Sequence, residues 1–274
     1  MKERIIVAVI CLPILFIILF FLPAYVFAAL VALICAISAY ELQTSIGGEG
    51  NTRICIYAAF SAALIPIGTY FGVGDMVFQA VFLVLMSILF IEAILVFRLK
   101  RQISFARIMT TLFGGTLIPL MLSSLVSLKT LPEGRLLVLL PVISAFLTDA
   151  GAYFTGKFLG KRRAFPLVSP KKTVEGCIGG LVVGIASMVV YGAILVLTTF
   201  HGIVFWALIL YGLIGGVLTE LGDLAFSLVK REYNIKDYGR LLPGHGGMLD
   251  RFDSMVFTAP AMYLLMSVIP AIVI

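Results

Sequence analysis

The residues of this chain best placed to do chemistry are carboxylates within or beside apolar sequence. They are Glu92, Asp149, Glu220, Asp223, Asp250 and Asp253. Glu220 and Asp223 stand three apart, and so do Asp250 and Asp253. That spacing puts each pair on one face of a helix. Hard oxygen donors of this kind suit Mg²⁺, which is normally held by one or two carboxylates together with substrate phosphates. The competing reading is that the acids pair with nearby Lys and Arg, and for Glu92 that reading is preferred. Two basic or glycine-rich stretches lie beside the acids. One carries Lys161-Arg162-Arg163 and Ser169-Pro170-Lys171-Lys172. Its Ser169-Pro170 step is read as a turn that presents both lysines to phosphate. The other is Pro243-Gly244-His245-Gly246-Gly247, followed by Asp250, Arg251 and Asp253. Glycines ahead of a helix start let backbone N–H groups approach an anion at the positive end of the helix dipole. His245 either fixes that turn by a hydrogen bond or contacts the phosphate directly.

The elements that must position these groups are membrane spans. The 274 residues are 61% hydrophobic and 12% charged, with a mean hydropathy of +1.14. Soluble domains run about 25% charged. A soluble domain and a disordered chain are therefore excluded, and long continuous apolar runs exclude an outer-membrane barrel. Nine runs are long enough to cross a bilayer: 5–21, 24–40, 54–71, 76–97, 108–128, 136–153, 177–199, 203–226 and 254–274. The expected fold class is all-α, a polytopic membrane protein of about nine helices. With the N-terminus in the cytoplasm, 18 of the 20 Lys and Arg fall on the cytoplasmic side, leaving only Lys129 and Arg135 outside. A basic face of this origin is an insertion signal and an attraction to anionic lipid, so no nucleic-acid partner is implied. In this topology the embedded acids gather at one depth, near the cytoplasmic interface.

Residues 1–135 read as a five-helix scaffold and residues 136–274 as the catalytic region, with cytoplasmic loops at 154–176 and 227–253. Gly176, Gly180 and Gly184, and then Gly212 and Gly216, recur at four-residue spacing. Such spacing permits close helix packing, and a homodimer seam is the sharper reading. The four cysteines Cys11, Cys35, Cys55 and Cys177 are scattered and read as small buried apolar groups.

The stretch 227–253 resembles the signature of the phosphatidate cytidylyltransferases. The elements are Ser227, Lys230, Arg231, Lys236, Asp237, Pro243 to Gly247, Asp250, Arg251 and Asp253. The stretch 149–176 is similar to that family's second characteristic loop, with Gly151-Ala152-Tyr153-Phe154 and Ser169-Pro170-Lys171-Lys172-Thr173-x-Glu175-Gly176. Ala150 departs from it, because a hydroxyl residue is expected after Asp149. The resemblance covers roughly residues 140–260. It implies transfer of a cytidylyl group from CTP to phosphatidate, with Mg²⁺, in a bacterial inner membrane with the site facing the cytoplasm. By the same resemblance Asp223 and Asp250 bridge Mg²⁺, and Glu220 and Asp253 are further donors. Lys171, Lys172, Lys230, Arg231 and Arg251 hold phosphates, with Ser169 beside them, and Gly244, Gly246 and Gly247 approach a phosphate through the backbone. The rival readings are a CTP-dependent lipid kinase and a transporter.

Overall fold

The computed structural model describes residues 17–46, 52–97, 102–199, 202–241 and 246–273. The architecture is helical. In chain order the long helices are α1 (Ala24–Ile46), α2 (Thr52–Tyr70), α3 (Gly74–Phe97), α4 (Phe105–Leu112) and α5 (Ile118–Thr130). There follow α6 (Gly134–Leu137), α7 (Leu139–Leu159), α8 (Val174–Thr198), α9 (Phe205–Glu232) and α10 (Leu249–Val268). Two small antiparallel pairs complete the described residues: β1 (Arg163–Phe165) with β2 (Ser169–Thr173), and β3 (Gly202–Ile203) with β4 (Ile272–Val273).

Seven helical segments among the described residues are long and apolar enough to cross a membrane. They coincide with the second to eighth expected spans. The first expected span, 5–21, falls outside the described residues apart from its last positions. The ninth forms as α10, which starts earlier than expected and takes Asp250, Arg251 and Asp253 into its beginning. It is not among the seven.

The expected loops are shorter than the apolar pattern suggested. α9 continues six residues past Phe226 because Lys230 and Arg231 sit in its last turn, where cations suit the negative end of the helix dipole. α7 likewise runs on to Leu159 with Lys157 in its last turn. The 154–176 stretch is thus largely structured, as a helix end, a hairpin and a capped helix start.

The chain divides into two compact units. The first comprises residues 1–130 together with 235–252; the second comprises 131–234 together with 253–274. In the first, one buried apolar cluster joins Ile54, Leu85, Leu89, Ile108 and Leu112. The fifth expected span is not a uniform α-helix. A π-helical turn at Phe113–Leu117 separates α4 from α5. Gly114 and Gly115 in this turn let it press against Leu42 of α1 and the Ala58 backbone of α2. The buried Thr111 hydroxyl sits 3.2 Å from Gln43 Oε1.

In the second unit the small-residue pattern is taken up by packing within the chain. Gly176 lies against Ala152 and Gly156 of α7, and Gly180 and Gly184 lie against Thr148. Gly212 of α9 faces the backbone of Gly184 and Ile185 in α8. The seam offered for a homodimer is therefore occupied by the chain's own helices. A Cβ at Gly212 would sit 2.5 Å from Ile185 Cα and 2.9 Å from Gly184 O. Both neighbours are backbone and cannot rotate away. Gly212→Ala is expected to lower the unfolding temperature of the detergent-purified protein by about 5 °C, from overpacking. Gly202→Ala, whose Cβ would meet only Val273 at 3.5 Å, is the control expected to leave it unchanged.

Candidate functional site

Chemistry-bearing side chains converge in each unit separately. In the second unit the organising element is the β1–β2 hairpin. Its turn is Phe165-Pro166-Leu167-Val168, closed by a 3.2 Å hydrogen bond from Val168 N–H to Phe165 O. Pro166 occupies the position whose φ a proline presets. Ser169-Pro170, expected to form the turn, instead opens β2, with Ser169 half-buried opposite Phe165.

A strand sends successive side chains to opposite faces. The Lys171-Lys172 pair is consequently split. Lys171 is exposed, whereas Lys172 is drawn in toward α9. The lysines are not presented together, and this corrects the sequence expectation. Four side chains hold the hairpin and the helix start that follows it. Arg163 Nη1 donates to Lys171 O at 3.1 Å, and Arg231 Nε donates to Val168 O at 3.2 Å. Thr173 caps α8 by accepting from Gly176 N–H at 3.1 Å. Glu175 accepts from the backbone N–H of Lys161 and Arg162 through Oε2.

The Lys172 ammonium lies 2.5 Å from Glu220 Oε2 and 2.8 Å from Asp223 Oδ2. Burial alone would depress its pKa, but the charges of Asp223 and Glu220 outweigh burial and hold it above the ordinary lysine value. Lys172 therefore stays charged at every pH used for assay. Glu220 is only 8% exposed, and its other oxygen, Oε1, is buried with no hydrogen-bond partner among the described residues. Asp223 is the more open of the two, with 30% of its side chain exposed. Asp149 Oδ2 lies 3.5 Å from the Ser254 hydroxyl. Asp253 Oδ1 accepts from Ser254 N–H at 2.8 Å, and its Oδ2 lies 3.9 Å from Lys230 Nζ. Six expected residues thus gather here: Lys172, Glu220, Asp223, Lys230, Arg231 and Asp253.

In the first unit the glycine-rich turn leads into α10. Asp250 Oδ2 accepts from both Tyr238 N–H and Gly247 N–H, each at 2.9 Å. The Gly247 amide, expected to approach a phosphate, is thereby committed to Asp250. Gly246 has φ +85°, a conformation that favours glycine, and a Cβ there would sit 3.0 Å from Asp250 Oδ2. Arg251 is exposed. Gly244 and His245 lie outside the described residues. The acid that sequence reading missed is Glu41 of α1, which accepts from Leu249 N–H at 3.0 Å. The signal was present, as an acid at the end of an apolar run, but 24–40 was read as plain scaffold.

Among the described residues no three His, Cys, Asp or Glu side chains form a ready cage for a metal ion. A pair is what Mg²⁺ needs when phosphates supply the remaining oxygens. Glu220 and Asp223 fit that requirement, with one carboxylate oxygen unpartnered and a cation already drawn to the pair. Removing this cation tests the arrangement. Lys172→Met leaves the two carboxylates without their shared partner and is expected to lower turnover by at least about tenfold. Unchanged turnover would show that Lys172 is only a structural counter-charge.

A sequence model described as "Cytidylyltransferase family" matches residues 2–269. The chain is 42% identical over 138 residues to a phosphatidate cytidylyltransferase of Staphylococcus saprophyticus, covering 50% of this chain and 52% of the relative. It is 44% identical over 138 residues to one from Staphylococcus aureus strain COL, again covering 50% and 52%. It is 47% identical over 120 residues to one from Bacillus subtilis strain 168, covering 44% and 43%. The chain spans about half the length of the curated relatives it matches.

Proposed function

The chain belongs to the cytidylyltransferase family, and on that premise we propose that it transfers the cytidylyl group of CTP to phosphatidate. The products are CDP-diacylglycerol and pyrophosphate. The relatives are named for that activity. The observation that carries the reading is the Lys172–Glu220–Asp223 cluster near the charged end of α9, next to Lys230 and Arg231. A polyanionic nucleotide needs cations, and a lipid phosphate lies at the depth where a span ends. We place this end on the cytoplasmic side, in a bacterial inner membrane, as the Lys and Arg distribution supports.

A phosphatidate oxygen attacks the α-phosphorus of CTP. The new P–O bond forms as the bond to the β-phosphate breaks, and pyrophosphate leaves. Such a reaction asks the protein chiefly for positioning and charge neutralisation. Mg²⁺, where bound, neutralises charge on the triphosphate and the departing pyrophosphate. We propose that Asp223 and Asp250 would hold it, with Glu220 and Asp253 as further donors. The signature supports those roles, and Glu220 and Asp223 both lie beside Lys172. Lys172 keeps Glu220 and Asp223 oriented and neutralised before nucleotide arrives. Arg231 anchors the hairpin through Val168 O. Lys171 and Arg251, both exposed, are the groups that meet the incoming triphosphate.

The test uses detergent-purified protein with phosphatidate, Mg²⁺ and CTP labelled separately at the α- and γ-phosphates. The expected result is α-label in lipid and γ-label in pyrophosphate. γ-Label in lipid, with CDP released, would overturn the reading in favour of a lipid kinase. Folded protein that transfers neither label would overturn it as well.

A further inference from the structure

We infer that Glu41, in the helix expected to be plain scaffold, is a positioning residue for the backbone at 246–249 that opens α10. Its side chain is buried, with the residue 6% exposed, in a helix whose other buried residues are mostly apolar. An acid placed there is costly unless it is paired. Glu41 Oε2 accepts from Leu249 N–H at 3.0 Å. That N–H is the first of α10 and has no partner within its own helix. A carboxylate at this end also complements the helix dipole.

The surrounding sequence makes room for this side chain. Gly239 and Gly247 lie on either side of it, and a Cβ at either position would overlap the Glu41 carboxylate. Gly239 makes room for Glu41 alone, whereas a Cβ at Gly247 would also meet Gly239 N at 2.7 Å, and neither glycine has a positive φ. Asp250 holds the same turn from within α10, accepting from Tyr238 and Gly247. The backbone amides of 247 and 249 are thus divided between two carboxylates from different parts of the chain. Removing Glu41 frees one side of the turn while leaving Asp250 in place. That the turn serves CTP rests on the function proposed above; that Glu41 holds the turn does not.

The test compares the full chain carrying Glu41→Ala, Glu41→Gln, Gly239→Ala, and Glu41→Ala with Gly239→Ala combined. Hydrogen exchange of the amides at 246–250 and the KM for CTP against kcat are read together. Glu41→Ala is expected to speed exchange at Leu249 by about tenfold, the scale of a lost helix cap, and to raise KM for CTP more than it lowers kcat. Glu41→Gln retains an acceptor oxygen and is expected to stay within about threefold of the parent in both readouts. Gly239→Ala is expected to disturb the turn while Glu41 is present and to add little once Glu41 is Ala. Unchanged exchange at 246–250 in Glu41→Ala would overturn the inference. So would a loss of protection spread over all helices, or additive effects in the double variant. If Glu41→Ala cannot be recovered folded, Gly239→Ala and Glu41→Gln are read by the same measures. Turn exchange that responds as expected in a protein that transfers no label would overturn the proposed function and leave the role of Glu41 standing.

Discussion

Asp223→Asn is expected to lower kcat by at least about 10²-fold while the protein remains folded. Asparagine has nearly the same shape, and its carbonyl oxygen can still accept from Lys172, which lies 2.8 Å from Asp223 Oδ2. Lys172 also keeps its 2.5 Å contact with Glu220. The hairpin and α9 therefore stay in place, and with 30% of the side chain exposed no apolar packing is lost. What disappears is one negative charge at the open side of the cluster. A structural ion pair would survive that loss with little change in turnover, because Glu220 alone still satisfies the lysine. A hard oxygen donor for Mg²⁺ would not, because a neutral amide is a far poorer partner for a divalent cation. Raising Mg²⁺ should restore part of the lost rate if the defect is in metal affinity. Near-normal turnover at ordinary Mg²⁺ would remove Asp223 from the metal role.

Much of this arrangement was legible because membrane spans are written in composition. Seven of the nine expected runs coincide with long apolar helices, as lipid leaves the backbone few alternatives to the helix. The spacing of Glu220 and Asp223 translated directly into a shared helix face meeting one lysine. What could not be read was anything that depends on contact between distant segments. Lys171 and Lys172 look equivalent in sequence; only the β2 register separates the exposed one from the one drawn to α9. That register follows from Pro166 setting the turn four residues earlier than Ser169-Pro170 would. Glu41 was missed for the same reason: its partner amide is at Leu249, 208 positions along the chain. The π-turn at Phe113–Leu117 interrupts a span whose hydropathy is continuous, so no apolar pattern marks it.

Asp250→Asn is the substitution that separates the turn contacts of this side chain from its proposed metal role, and kcat is expected to fall by at least about 10²-fold. Asp250 Oδ2 accepts from Tyr238 N–H and Gly247 N–H, both at 2.9 Å, in a residue only 8% exposed. An asparagine placed with its oxygen toward those amides keeps both hydrogen bonds, although each is weaker for the lost charge. The turn should thus keep its geometry, visible as unchanged order of hydrogen exchange across 246–250. Asp250→Ala removes the acceptor altogether and is expected to loosen the turn as well as to stop turnover. If Asp250 serves only the turn, Asn should work nearly as well as Asp, and Ala alone should fail. If it also donates to Mg²⁺ through its other oxygen, Asn and Ala should be equally inactive while only Ala loosens the turn. The second pattern is expected. It follows from the two amides that Asp250 Oδ2 accepts from, which an Asn oxygen can still serve, and from the loss of the negative charge that the proposed metal role needs.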